Sequence, residues 1–130
     1  MKKNTKSFLI LLKDEFRQKI NERISIGNEL LSQKIFTDEE LQNYKTIISQ
    51  WIDYNKELLK QSFDNPDNEY LEEYKNVFHF GDFSLGGNPT IQTETERYKK
   101  RITKYFSYLE KLLNKLDLIP VKETSNNARL

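Results

Sequence analysis

The sequence predicts an all-α fold: an antiparallel helical bundle of three long helices plus one short helix, with a glycine- and aromatic-containing loop before the last helix. Three observations carry this expectation. Apolar residues recur every three or four positions through most of the chain, the period of an amphipathic helix. Thr37-Asp38-Glu39-Glu40 spells an explicit helix start. Connections between the periodic stretches are brief, which favours antiparallel neighbours. The 130 residues support one core, burying roughly two-thirds of the surface that the unfolded chain exposes. That domain is expected over residues 1–120, with a disordered polar tail at 121–130.

The first helix is expected over residues 7–35, where Phe8, Leu12, Phe16, Ile20, Ile24, Leu30 and Leu31 share one side. Gly27 falls inside that stripe, although a mid-helix glycine costs about 1 kcal/mol relative to alanine. Close approach of a neighbouring helix backbone would offset the cost; a kink is the alternative. The second helix starts at a capping box, with Thr37 as N-cap and the Glu40 carboxylate returning to the backbone. Asp38 and Glu39 suit the positive end of its dipole. Its stripe reads Leu41, Tyr44, Ile47, Ile48, Trp51, Ile52, Leu58, Leu59 and Phe63, and Pro66 marks the stop. Asn55 and Ser62 point into this apolar stripe, so they need partners, either backbone groups or each other.

The short third helix is expected over residues 67–78, with Tyr70, Leu71, Tyr74 and Phe78 inward and Asn65 or Asp67 as its cap. Residues 79–89 carry three of the four glycines and form a loop, in which Gly81-Asp82 suits the turn of a small hairpin. The last helix is expected over residues 93–118, with Tyr98, Ile102, Tyr105, Leu109, Leu112 and Leu116 in register, Ile91 just ahead and Pro120 as the stop. Alanine occurs once, at Ala128, so the core is built from bulky Leu, Ile, Phe and Tyr.

Composition excludes several chemistries. Without cysteine there is no disulfide, thiol nucleophile or cysteine metal site. The one histidine, His79, stands among Val77, Phe78 and Phe80 and is read as a packed or hydrogen-bonded structural residue. Glu69, Glu72 and Glu73 share a helix, but no Glu-x-x-His pair completes a di-metal bundle, so a solvated acidic face is the plainer reading. Gly86-Gly87 lacks the Gly-Lys-Ser/Thr of a phosphate loop. No catalytic residue, cofactor or metal site is expected, and the protein is read as not an enzyme. Lys2, Lys3 and Lys6 before Phe8-Leu9-Ile10-Leu11-Leu12 imitate a signal peptide, but Lys13, Asp14 and Glu15 cut the apolar run short. A cytoplasmic protein with no membrane span is the expectation.

Charge is polarised although the formal net charge is only +1. Seven basic residues between Arg97 and Lys115 oppose one acid, whereas six acids between Asp64 and Asp82 oppose Lys75 alone. Arg97, Lys100, Arg101, Lys104, Lys111 and Lys115 occupy about a third of the last helix's wheel, beside the apolar stripe. Three readings compete for this basic face. It pairs with the acidic segment, including Glu69 and Glu73, within one molecule; it meets that segment on a second copy or on another protein; or it grips nucleic-acid phosphates. The acidic segment repels nucleic acid, which ranks that reading last. Phe80 and Phe83 either cap the end of the bundle, the favoured role, or stand out as interface anchors.

Ile26-Gly27-Asn28-Glu29-Leu30-Leu31, then Trp51, Leu58-Leu59, Phe63, Tyr70-Leu71-Glu72-Glu73-Tyr74 and Phe78, form an ordered series. The series resembles the small helical domain that precedes TIR-like or other nucleotide-binding effector domains in bacterial phage-defence and mobile-element proteins. The likeness covers about residues 20–80, with a looser echo in the last helix. No effector domain is expected after Pro120, so no catalytic function is carried over. What the resemblance implies is a module for sensing or assembly. Function is therefore expected to be protein–protein interaction or self-association, with nucleic-acid binding through the basic face as the alternative.

Overall fold

The computed structural model describes residues 6–79 and 89–122. Four helices follow one another: α1 (Lys13–Leu31), α2 (Asp38–Ser62), α3 (Glu69–Lys75) and α4 (Ile91–Asn114), the last continued by a 3-10 turn at Leu116–Leu118. Each runs antiparallel to the one before it. Lys45 of α2 meets Glu94 at the start of α4, at 2.9 Å, so these two helices rise together. Lys13 at the start of α1 reaches the Asp117 carbonyl beyond the end of α4, at 3.1 Å, so α1 descends. The short α3 descends beside α2 and the C-terminal half of α4. The helical bundle expected from the periodicity is the observed architecture.

Local chemistry sets most boundaries. At α2 both halves of the capping box form: Glu40 N donates to Thr37 Oγ1 at 3.1 Å, and Thr37 N to Glu40 Oε1 at 3.2 Å. Caps of this kind contribute about 1 kcal/mol. The N-cap of α3 is Asn68, not Asn65 or Asp67, and its buried Oδ1 accepts from Leu71 N at 2.8 Å. Asn65 closes a turn instead, accepting from Asp67 N at 3.0 Å. These two asparagines share the work of one corner, so α3 is shorter than the apolar spacing suggested. Thr90 caps α4, which starts two residues earlier than expected and ends sooner, tightening into the 3-10 turn.

The largest departure from expectation is at the N-terminus. Residues before Lys13 are not helical but extended, and Leu9 forms an antiparallel bridge with Phe63 and a parallel bridge with Val121. Ile10 N donates to Ser62 O, Asp64 N to Phe8 O, Leu9 N to Pro120 O and Lys122 N to Leu9 O, at 2.8–2.9 Å. The segment is thus a central strap between the end of α2 and the chain after α4. Extended backbone alternates its side chains. Leu9 is consequently buried in the core while Phe8 and Leu12, assigned to the apolar stripe of a helix, face solvent. Val121 and Lys122, expected in the polar tail, belong to this arrangement; residues 123–130 lie outside those described.

The core is one continuous cluster in which Phe16, Ile20, Ile48, Leu59, Tyr74, Ile102, Leu109 and Leu112 are fully buried. Ile47, placed on the α2 stripe by its spacing, is exposed at the edge of the α1–α2 interface. Gly27 does permit a close approach, but by an indole rather than a backbone. A Cβ there would lie 2.8 Å from Trp51 Cζ2 and 3.0 Å from Phe106 Cδ2. Asn55, fully buried, accepts from Arg23 Nε at 2.7 Å and donates to Tyr74 OH at 3.1 Å. Tyr74 OH in turn donates to the Ile52 carbonyl at 3.0 Å, and Ser62 donates to the Leu58 carbonyl. The two polar residues of the α2 stripe are therefore satisfied, by side chains from α1 and α3 and by backbone.

Candidate interaction surface

The basic face of α4 is positioned by the core residues beside it. Ile102, Leu109 and Leu112 anchor the helix, and Tyr105 and Tyr108 turn its next sector towards α3. The expected stripe then divides in two. Lys115 leans onto α3 and Arg101 onto the segment just after it: the Arg101 guanidinium lies 5.0 Å over the Phe78 ring, and Lys115 Nζ lies 5.5 Å over the Tyr70 ring. Lys100, Lys104 and Lys111 stay exposed, within about 40° of one another at 100° per residue. Arg97 is half-buried between the two groups.

The acidic partners are used in part inside the molecule. Glu73 Oε1 accepts from Tyr108 OH at 2.6 Å and lies 3.8 Å from Lys115 Nζ. Burial is the main cause that pushes the Tyr108 hydroxyl well above its ordinary value, and its bond to the Glu73 carboxylate adds to this. Glu69 Oε2 accepts from Ser7 N at 3.3 Å and so holds the strap. Glu72 and Glu73 are exposed and Glu69 is half-buried, so the acidic face is largely solvated while Glu69 and Glu73 also make contacts within the fold. Glu72 remains outward, 3.5 Å from Lys75.

Other candidates separate further. Phe80 and Phe83, the Gly81-Asp82 hairpin and the Gly86-Gly87 pair lie outside the described residues. His79 is exposed, at the end of the first described stretch. Among the described residues no group of three or more His, Cys, Asp or Glu side chains is disposed to hold a metal ion. No helix among them is long and apolar enough to cross a membrane.

One contact and one groove have no signal in the helical spacing. Lys99, on the opposite flank of α4 from the stripe, donates to the Gln33 carbonyl at 2.8 Å and ties α4 to the α1–α2 turn. Beside that turn lies an open groove of about 330 Å³, floored by Ile26, Leu30, Ile35 and Tyr44. Helix periodicity reports which side chains face a core, but not how two ends meet, so neither feature was legible. The surface that emerges is an outward lysine row on α4, bordered by an internally neutralised tyrosine–glutamate–lysine contact. No family model, curated protein or solved structure matches the chain.

Proposed function

We propose that this chain is a non-enzymatic, cytoplasmic interaction module that docks an acidic protein surface along Lys100, Lys104 and Lys111. The observation that carries the reading is the division of the basic face. Glu69 and Glu73 make contacts within the fold, and Lys100, Lys104 and Lys111 are exposed on one side of a helix fixed by the core. Exposed lysines are compact, mobile charges suited to steering and register rather than to chemistry. The resemblance of residues 20–80 to the helical domains of phage-defence and mobile-element proteins supports a sensing or assembly role of the same kind.

A phosphate backbone is the second reading, favoured by the same exposed row, since backbone binding needs clustered cations rather than a high net charge. The two are separated by titrating an acidic peptide and a short DNA duplex of equal charge at several salt concentrations. The triple variant Lys100→Glu, Lys104→Glu, Lys111→Glu serves as the control. The module reading expects the peptide to bind at least as tightly as the duplex, with binding lost in the variant. Tighter, steeply salt-dependent duplex binding that the variant abolishes would replace it with the nucleic-acid reading. Equal behaviour of wild type and variant towards both probes would leave the row as ordinary solvated surface.

A further inference from the structure

We propose that two copies of this chain associate through the apolar face made by Phe8, Ile10, Leu12 and Leu118, related by a two-fold axis. This goes beyond the lysine row and uses none of its residues. The strap generates the face. Because Leu9 is turned into the core, Phe8 and Ile10 are turned out, and Leu12 continues the alternation up to the start of α1. The Leu9–Val121 bridge places Val121 on the inward side with Leu9, and the Lys13–Asp117 contact brings the 3-10 turn carrying Leu118 beside Leu12.

The exposure is large for side chains of this type: 51% for Ile10, 73% for Leu12 and 82% for Leu118. Together the four leave on the order of 400 Å² of surface bare, within the range of a monomer's largest patch. Two such faces in contact cover roughly 800 Å², the size of a weak, concentration-dependent interface.

Charge selects a second copy as the occupant. The face is rimmed by Lys13, Lys122, Asp64 and Asp117, two bases and two acids, with Lys122 Nζ 3.6 Å from Asp64 Oδ2. A balanced rim brings no net repulsion when the same patch faces itself, which an isologous contact requires. It offers little to a polyanion or to a strongly acidic partner. The lysine row of α4, by contrast, would repel its own copy.

The test is the solution mass by light scattering, at two protein concentrations and at low and high salt. The proteins are wild type, the double variant Leu12→Asp, Leu118→Asp, and the triple lysine variant. Wild type is expected to approach twice the chain mass of 15.6 kDa as concentration rises, and to hold it in high salt because apolar burial is not screened. The double variant should stay at half that mass with an unchanged helical spectrum, since neither side chain touches the core. The lysine variant should still dimerise, so this proposal and the lysine-row reading fail separately. Hydrogen exchange of wild type supplies a measurement independent of substitution: amides of residues 10–13 and 117–121 should gain protection with concentration. A wild-type monomer at both concentrations, a dimer that survives the double substitution or dissolves in salt, or exchange independent of concentration would each overturn the proposal. A monomer would leave the face to another segment of the chain or to a different protein.

Discussion

Trp51 packs against Gly27, and its Nε1 donates to the Arg23 carbonyl at 2.9 Å, one turn of α1 earlier. The missing side chain at 27 is what lets the indole reach that carbonyl. Gly27→Ala would gain about 1 kcal/mol of helix propensity. It must also displace an indole that is buried and hydrogen-bonded, a form of overpacking that costs about 1–3 kcal/mol. We expect a lower melting temperature, by several degrees. A variant that melts at or above wild type would show that the indole shifts at no cost.

Leu9 and Leu12 exchange the importance that an uninterrupted helix would give them. Leu9→Ala should cost about 2–5 kcal/mol, as for other buried leucines, and loosen both bridges of the strap. Leu12→Ala should change stability by no more than about 0.5 kcal/mol. Chemical denaturation of the two variants decides the matter; comparable losses would contradict an extended strap.

Asn55 joins Arg23 of α1 to Tyr74 of α3 across the fully buried middle of α2. Removing the amide with Asn55→Ala leaves Tyr74 OH without its donor and Arg23 without its acceptor. Arg23 keeps only its place 4.1 Å over the Tyr54 ring. Unsatisfied buried groups cost about 1–3 kcal/mol each, so a loss of that order is expected in denaturant titration. Tyr74→Phe in the same background should then cost less than it does alone, because the two residues share one network.

Alkaline pH should unfold the protein through its tyrosines. Burial raises Tyr44 from 10.0 to about 12, and raises Tyr74 and Tyr108 further still. An acid whose folded value is raised leaves stability intact below its unfolded value. Above that value the unfolded chain ionises first and stability falls. The melting temperature should therefore hold up to about pH 10 and decline beyond it, less steeply in Tyr108→Phe. Phenolate absorbance checks the assignment: the buried tyrosines should ionise together with the loss of helix. Ionisation of Tyr44, Tyr74 and Tyr108 near pH 10 with the helices intact would contradict it.

The sequence by itself determined the four helices, the capping box at Thr37 and the inward faces of α2 and α4. These are set by interactions within four residues, which spacing records directly. It also located the clusters of charge along the chain. Only the tertiary structure decided what the charges do, because Glu73 finds Tyr108 across 35 positions of chain and Lys115 from still further along, and Glu69 finds the Ser7 amide across 62. The strap was illegible for the same reason. Phe8, Leu12 and Phe16 have helical spacing, and nothing local in the chain disfavours a helix there. Extended backbone wins because Ser62 and Asp64 on one side, and Pro120 and Lys122 on the other, supply hydrogen-bonding partners for residues 8–10, and those partners are in place only once the bundle has formed.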